Sequence, residues 1–134
     1  MRAQAAIEYY TIIAVALLIL LPLSFYVNQL LMGYRDDTKI SMARDAVKKL
    51  GESADWVYSQ GPPARLSVKV YVPEGVEQTS LDNKIILLRV RTSAGITDVY
   101  YETVPSLNGS IPIENGYYSI SLTAYGNYVN ISVV

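Results

Sequence analysis

Gln4-Ala5-Ala6-Ile7-Glu8-Tyr9-Tyr10 runs without a break into Thr11-Ile12-Ile13-Ala14-Val15-Ala16-Leu17-Leu18-Ile19-Leu20-Leu21-Pro22-Leu23. The second part is a continuous apolar run, and the first carries one carboxylate, Glu8. The next charged side chain is Arg35. A lone charge at the head of a membrane-grade helix is costly to bury, and is read as functional by default. The uncharged run from Tyr9 to Tyr34 holds 26 residues. As helix it is about 39 Å long at 1.5 Å per residue, and a bilayer core needs about 20 residues. Pro22 removes one backbone donor and crowds the Leu18 carbonyl, so a bend is expected there.

Outward from this stretch the composition changes at Arg35. Only Arg2 and Glu8 are charged before it, whereas both signs are interspersed after it. Arg2 marks the N-terminal end as cytoplasmic by the positive-inside rule. A cleaved secretory signal fits poorly, because its apolar region is shorter and ends on small residues, whereas Leu21-Pro22-Leu23-Ser24-Phe25-Tyr26 is bulky.

Past Arg35, Ile40, Ala43, Val47, Leu50, Ala54 and Val57 form a narrow apolar stripe at helical spacing. Charged residues occupy the other faces, with Asp45–Lys49 and Lys48–Glu52 set four apart as opposite charges. Gly33 and Gly51 weaken this helix by about 1 kcal/mol each relative to Ala. Gly61-Pro62-Pro63 ends it. One helix is therefore expected over about 4–60, with the stripe covered by the chain's own sheet.

The remainder reads as strands. Leu66, Val68, Val70 and Val72 alternate with polar residues, and Lys84 to Thr92 points Ile86, Leu88 and Val90 inward and Arg89 and Arg91 outward. Thr97 to Val104 follows, with Val99 and Tyr101 inward. Asn108-Gly109 and Asn115-Gly116 are hairpin signals flanking a short 111–113 segment. Tyr117 to Thr123 and Tyr128 to Val134 pair across Tyr125-Gly126-Asn127. Five main strands are counted. The fold class is α+β: a long N-terminal helix, apolar below and amphipathic above, packed on a small, mostly antiparallel sheet.

The 134 residues carry 11 basic and 12 acidic side chains, which leaves no global basic surface for nucleic acid. There is no Cys and no His, so thiol chemistry and the usual zinc sites are excluded. No phosphate-cradling glycine loop or nucleophile elbow is present. Asp36-Asp37 and Asp82-Asn83 read as a solvated helix face and a turn. No catalytic residue, metal or cofactor is expected. Of the 12 tyrosines, seven fall between Tyr71 and Tyr128, as suits a sheet that is packed on one side and wet on the other.

Arg2-Ala3 before Gln4, Glu8 four residues later and the apolar helix behind them resemble the class III signal peptide of archaeal type IV pilins. Ala3 stands where that family often has glycine, and Ala6 where it often has a hydroxyl residue. The resemblance implies that a membrane prepilin peptidase cuts between Ala3 and Gln4. Residues 1–3 are then a leader, 4–34 a membrane anchor and later filament core, 35–60 an amphipathic helix, and 64–134 a β-rich domain. It also implies partners: further copies of the chain, the membrane before assembly, an assembly ATPase and a membrane platform protein. The expected function is that of a major pilin in an extracellular filament for adhesion. A membrane-anchored minor pilin or a small extracellular binding module is the alternative. Cleavage exposes an amine at Gln4, and Glu8 is expected to pair with such an amine, on its own or a neighbouring chain, and so to set docking. At the other end of the chain, Asn108-Gly109-Ser110 and Asn130-Ile131-Ser132 have the form of N-glycosylation acceptors.

Overall fold

A computed structural model describes residues 1–134. One helix, α1 (Arg2–Gln60), is followed by seven strands: β1 (Arg65–Val72), β2 (Val76–Asp82), β3 (Ile85–Thr92), β4 (Gly95–Glu102), β5 (Ser106–Gly109), β6 (Gly116–Ala124) and β7 (Tyr128–Val133). The chain separates into two compact units, Met1–Arg35 and Asp36–Val134.

Within the second unit the stripe on α1 does what its spacing predicts. Ala43, Val47, Leu50, Ala54 and Val57 are buried, and Ile40 is packed against them. Gly61, at φ 77°, ends the helix in the left-handed conformation that favours glycine. The helix face meets the inner faces of two sheets, where Val70, Val72, Ile86, Leu88, Ile120 and Leu122 are among the buried residues.

The strands form two sheets rather than one. The first has the order β1-β6-β7-β5 and the second β2-β3-β4. Every pairing is antiparallel except β5 with β7. β2 has no counterpart among the five expected strands, because Glu77, Gln78, Thr79 and Ser80 interrupt any apolar alternation. It forms as an edge partner of β3, returned by a two-residue turn in which Asn83 takes φ 55°.

The two Asn-Gly pairs correct a second expectation, since neither closes a hairpin. Asn108-Gly109 is the end of a strand running parallel to β7, and β7 separates β5 from β6. The positive φ that glycine allows is used instead to leave β5 (Gly109, φ 120°) and to open β6 (Gly116, φ 150°). Residues 111–113 are not a strand; Ile111 instead fills the core.

Polar tethers fix α1 against the sheets. The Asp36 carboxylate accepts from the Ser93 backbone N–H at 3.1 Å and from its hydroxyl. Asp55 accepts from the Val104 N–H at 2.8 Å, and Lys49 Nζ donates to the Lys69 carbonyl at 2.6 Å. Lys49 is thereby drawn from the expected Asp45 pair to a carbonyl on edge strand β1. Of the two expected helix pairs only Lys48–Glu52 forms, at 3.9 Å and well exposed.

Gly51 is a contact point rather than a weak spot. It is buried, and a Cβ built on it would lie 2.0 Å from the Tyr101 ring. Gly51→Ala is therefore expected to destabilise the domain by about 1–3 kcal/mol through overpacking, against a helix-propensity gain of about 1 kcal/mol. A lowered thermal midpoint would bear this out; a raised one would show that the ring moves freely aside.

Candidate functional site

In Met1–Arg35 every residue is exposed, including Ile12 (68%), Leu18 (73%) and Phe25 (72%). None of the most apolar 18-residue window is buried, and the helix is long and apolar enough to cross a membrane. Each fully covered Leu, Ile or Phe is worth about 1.5–3 kcal/mol relative to exposure. A continuous apolar surface of this extent marks an interaction surface. This end of the chain is built for membrane insertion or secretion.

Two hydroxyls of the segment are satisfied from within. Thr11 Oγ1 donates to the Ile7 carbonyl at 2.8 Å and Ser24 Oγ to the Leu20 carbonyl at 2.9 Å. Both bonds return to the preceding turn, as hydroxyls on apolar helices do. Pro22 lies within the helix, which continues on both sides. Tyr9 and Tyr10 pack edge to face, with centroids 6.4 Å apart, next to Glu8. Such amphipathic rings sit well at the level of lipid headgroups.

Glu8 has no ion-pair partner in the chain. Ala3 and Gln4 lie in the first turn of α1. First turns fray at low cost. Gln4 and Glu8 are four apart on one helix face, and a new amine at Gln4 would be one turn from the carboxylate. The structure thus brings these two sequence-marked positions together. It places the other two, Asn108 and Asn130, side by side in a separate unit.

Sequence reasoning placed Arg89 and Arg91 on an outer sheet face but missed the cross-strand partners that side chains meet there. Arg89 grips Asp98 through two bonds of 2.9 and 3.3 Å, and Arg91 pairs with Glu77 at 2.7 Å. The hydrogen bond to Arg89 holds the Asp98 carboxyl below its ordinary value, and the same bond raises the guanidinium. On the four-stranded sheet, Tyr71 and Tyr117 lie 4.8 Å apart, with Lys69 Nζ 5.1 Å from the Tyr117 ring centre. Only the cross-strand register, which no local pattern carries, brings these side chains together.

The Asp36 carboxyl is likewise lowered, first by the Ser93 hydroxyl and then by the Ser93 N–H. A depressed folded-state value means that the contribution is full above the ordinary value of 3.8 and fades as pH falls below it. The part of the stability that this tether carries should thus begin to fall as pH drops through that value. Asp36→Asn should flatten the low-pH limb of a stability-against-pH curve measured by circular dichroism, and an unchanged limb would remove the Asp36–Ser93 tether from the account. No family model, curated protein or solved structure matches this chain.

Proposed function

We propose that this chain is the major structural subunit of an archaeal type IV pilus-like extracellular filament. The observation that supports it best is the wholly exposed apolar helix with one unpartnered carboxylate, joined to a separately cored α+β unit. The architecture is pilin-like. In the membrane, lipid tails cover the helix before assembly; in the filament, the helices of neighbouring copies replace them. A prepilin peptidase cuts between Ala3 and Gln4, and an assembly ATPase with a membrane platform protein moves the chain outward. Glu8 then docks on the Gln4 amine of a neighbouring copy. In an apolar setting that pairing is strongly favoured, whereas an unpaired carboxylate costs several kcal/mol. The outward Tyr71–Tyr117 pair favours adhesion as the filament's role, since tyrosine suits contact surfaces.

The test is electron microscopy of material sheared from cells with and without the gene, with peptide identification of what is sheared. Filaments built from this chain, and lost without it, are expected. The chain confined to the membrane fraction, with filaments unaffected, would instead support a membrane-anchored minor pilin or binding module.

A further inference from the structure

The two Asn-Xaa-Ser tripeptides lie far apart in sequence and adjacent in the fold. Asn108 and Asn130 are register partners across the parallel β5–β7 ladder. Their side chains therefore leave the same face of the sheet about one strand spacing apart, ~4.8 Å.

Their surroundings differ. β5 is an edge strand, whereas β7 lies between β6 and β5. Asn108 is exposed; Asn130 is half-buried between its register partners Asn108 and Thr123. The backbone differs as well. Gly109, at φ 120°, turns the chain out of the strand directly after Asn108, and Ser110 behind it is exposed. Asn130-Ile131-Ser132 stays within extended β7 with Ile131 buried. An extended strand keeps residues two apart about 6.8 Å from each other, so Ser132 is held away from the Asn130 amide. Asn108 Oδ1 accepts from the Gly109 N–H at 2.9 Å, which anchors the carbonyl end of the amide and leaves Nδ2 without a partner in the chain.

We propose that Asn108, and not Asn130, carries an N-linked glycan, an inference that rests on the β domain being exported. The Nδ2 of Asn108 forms a bond to the anomeric carbon of a lipid-phosphate-linked sugar. The carbon–oxygen bond to that phosphate breaks, the electron pair leaves with the lipid phosphate, and one amide proton passes to a base of the transferase. A sugar on Asn108 then occupies the space over Asn130, so the pair accepts one glycan in total.

The test is intact-mass and glycopeptide mass spectrometry of the full chain from its own cells, for the wild type, Asn108→Gln, Asn130→Gln and Ser110→Ala. Ser110→Ala removes only a hydroxyl and keeps the backbone bond from Ser110 to the Ile131 carbonyl, so it separates loss of the acceptor from loss of fold. One glycan on the Asn108 peptide is expected in the wild type and Asn130→Gln, and none in the other two. A wild-type chain without excess mass, with a glycan on Asn130, or with two glycans overturns the proposal. External protease on intact cells separates the two readings. An unmodified chain that is digested leaves export standing and this proposal fallen; an unmodified, protected chain ends both.

Discussion

Glu8→Leu is expected to reduce filament assembly to a small fraction of the wild-type level, while the β domain stays folded. Two terms work in opposite directions here. Leucine makes the helix more apolar and improves its membrane residence. It also deletes the one charged group in the apolar segment that can recognise a specific partner. Uniform apolar packing leaves the axial position of one helix against its neighbour weakly defined, whereas a carboxylate in an apolar setting has one strongly favoured placement. The variant should therefore accumulate in the membrane and fail to leave it as polymer. Glu8→Asp, which keeps the charge on a shorter arm, should recover part of the assembly. The check is the ratio of this chain in sheared filaments to that in membranes. A Glu8→Leu chain that polymerises at normal yield and register would show that the carboxylate serves only the helix terminus.

Leu50→Ala should have the largest effect on the fold, about 2–5 kcal/mol of lost stability. Leu50 is fully buried and belongs to the helix stripe that both sheets share. It sits beside Gly51, whose missing side chain admits the Tyr101 ring, so that ring is already committed and is badly placed to fill a new cavity. A small domain has a total stability of about 5–15 kcal/mol, so the loss should be visible as a large shift in the denaturation midpoint. Assembly should suffer too, but through depletion of folded chain. That distinguishes it from Glu8→Leu, where folded chain is abundant and unassembled. A loss below about 1 kcal/mol would mean that the helix is not the shared cover of the two sheets.

The parts of this fold that are legible in the sequence are those written in a single local period. The helix stripe from Ile40 to Val57 is one, and the alternation in β1 and β3 is another. What is not legible depends on partners distant in sequence. β2 is a strand only because β3 offers it a hydrogen-bonding edge, and its own polar residues do not announce it. Asn-Gly supplies a positive φ, and whether that φ closes a hairpin or ends a parallel strand is decided by β7, some 20 residues away from Asn108. Gly51 reads locally as a helix defect, and only the arrival of Tyr101 makes it a packing requirement. At the candidate site, the residues themselves are legible, because a lone carboxylate in an apolar run stands out at once. Its partner is not, since nothing else in the chain meets it.

The most direct test of the central claim is the N-terminal peptide of the chain recovered from sheared cell-surface filaments, read by mass spectrometry. A mature chain beginning at Gln4, with residues 1–3 removed, is the predicted result. A chain in those filaments that still begins at Met1 would contradict it, for then no amine would stand at Gln4 for Glu8 to meet.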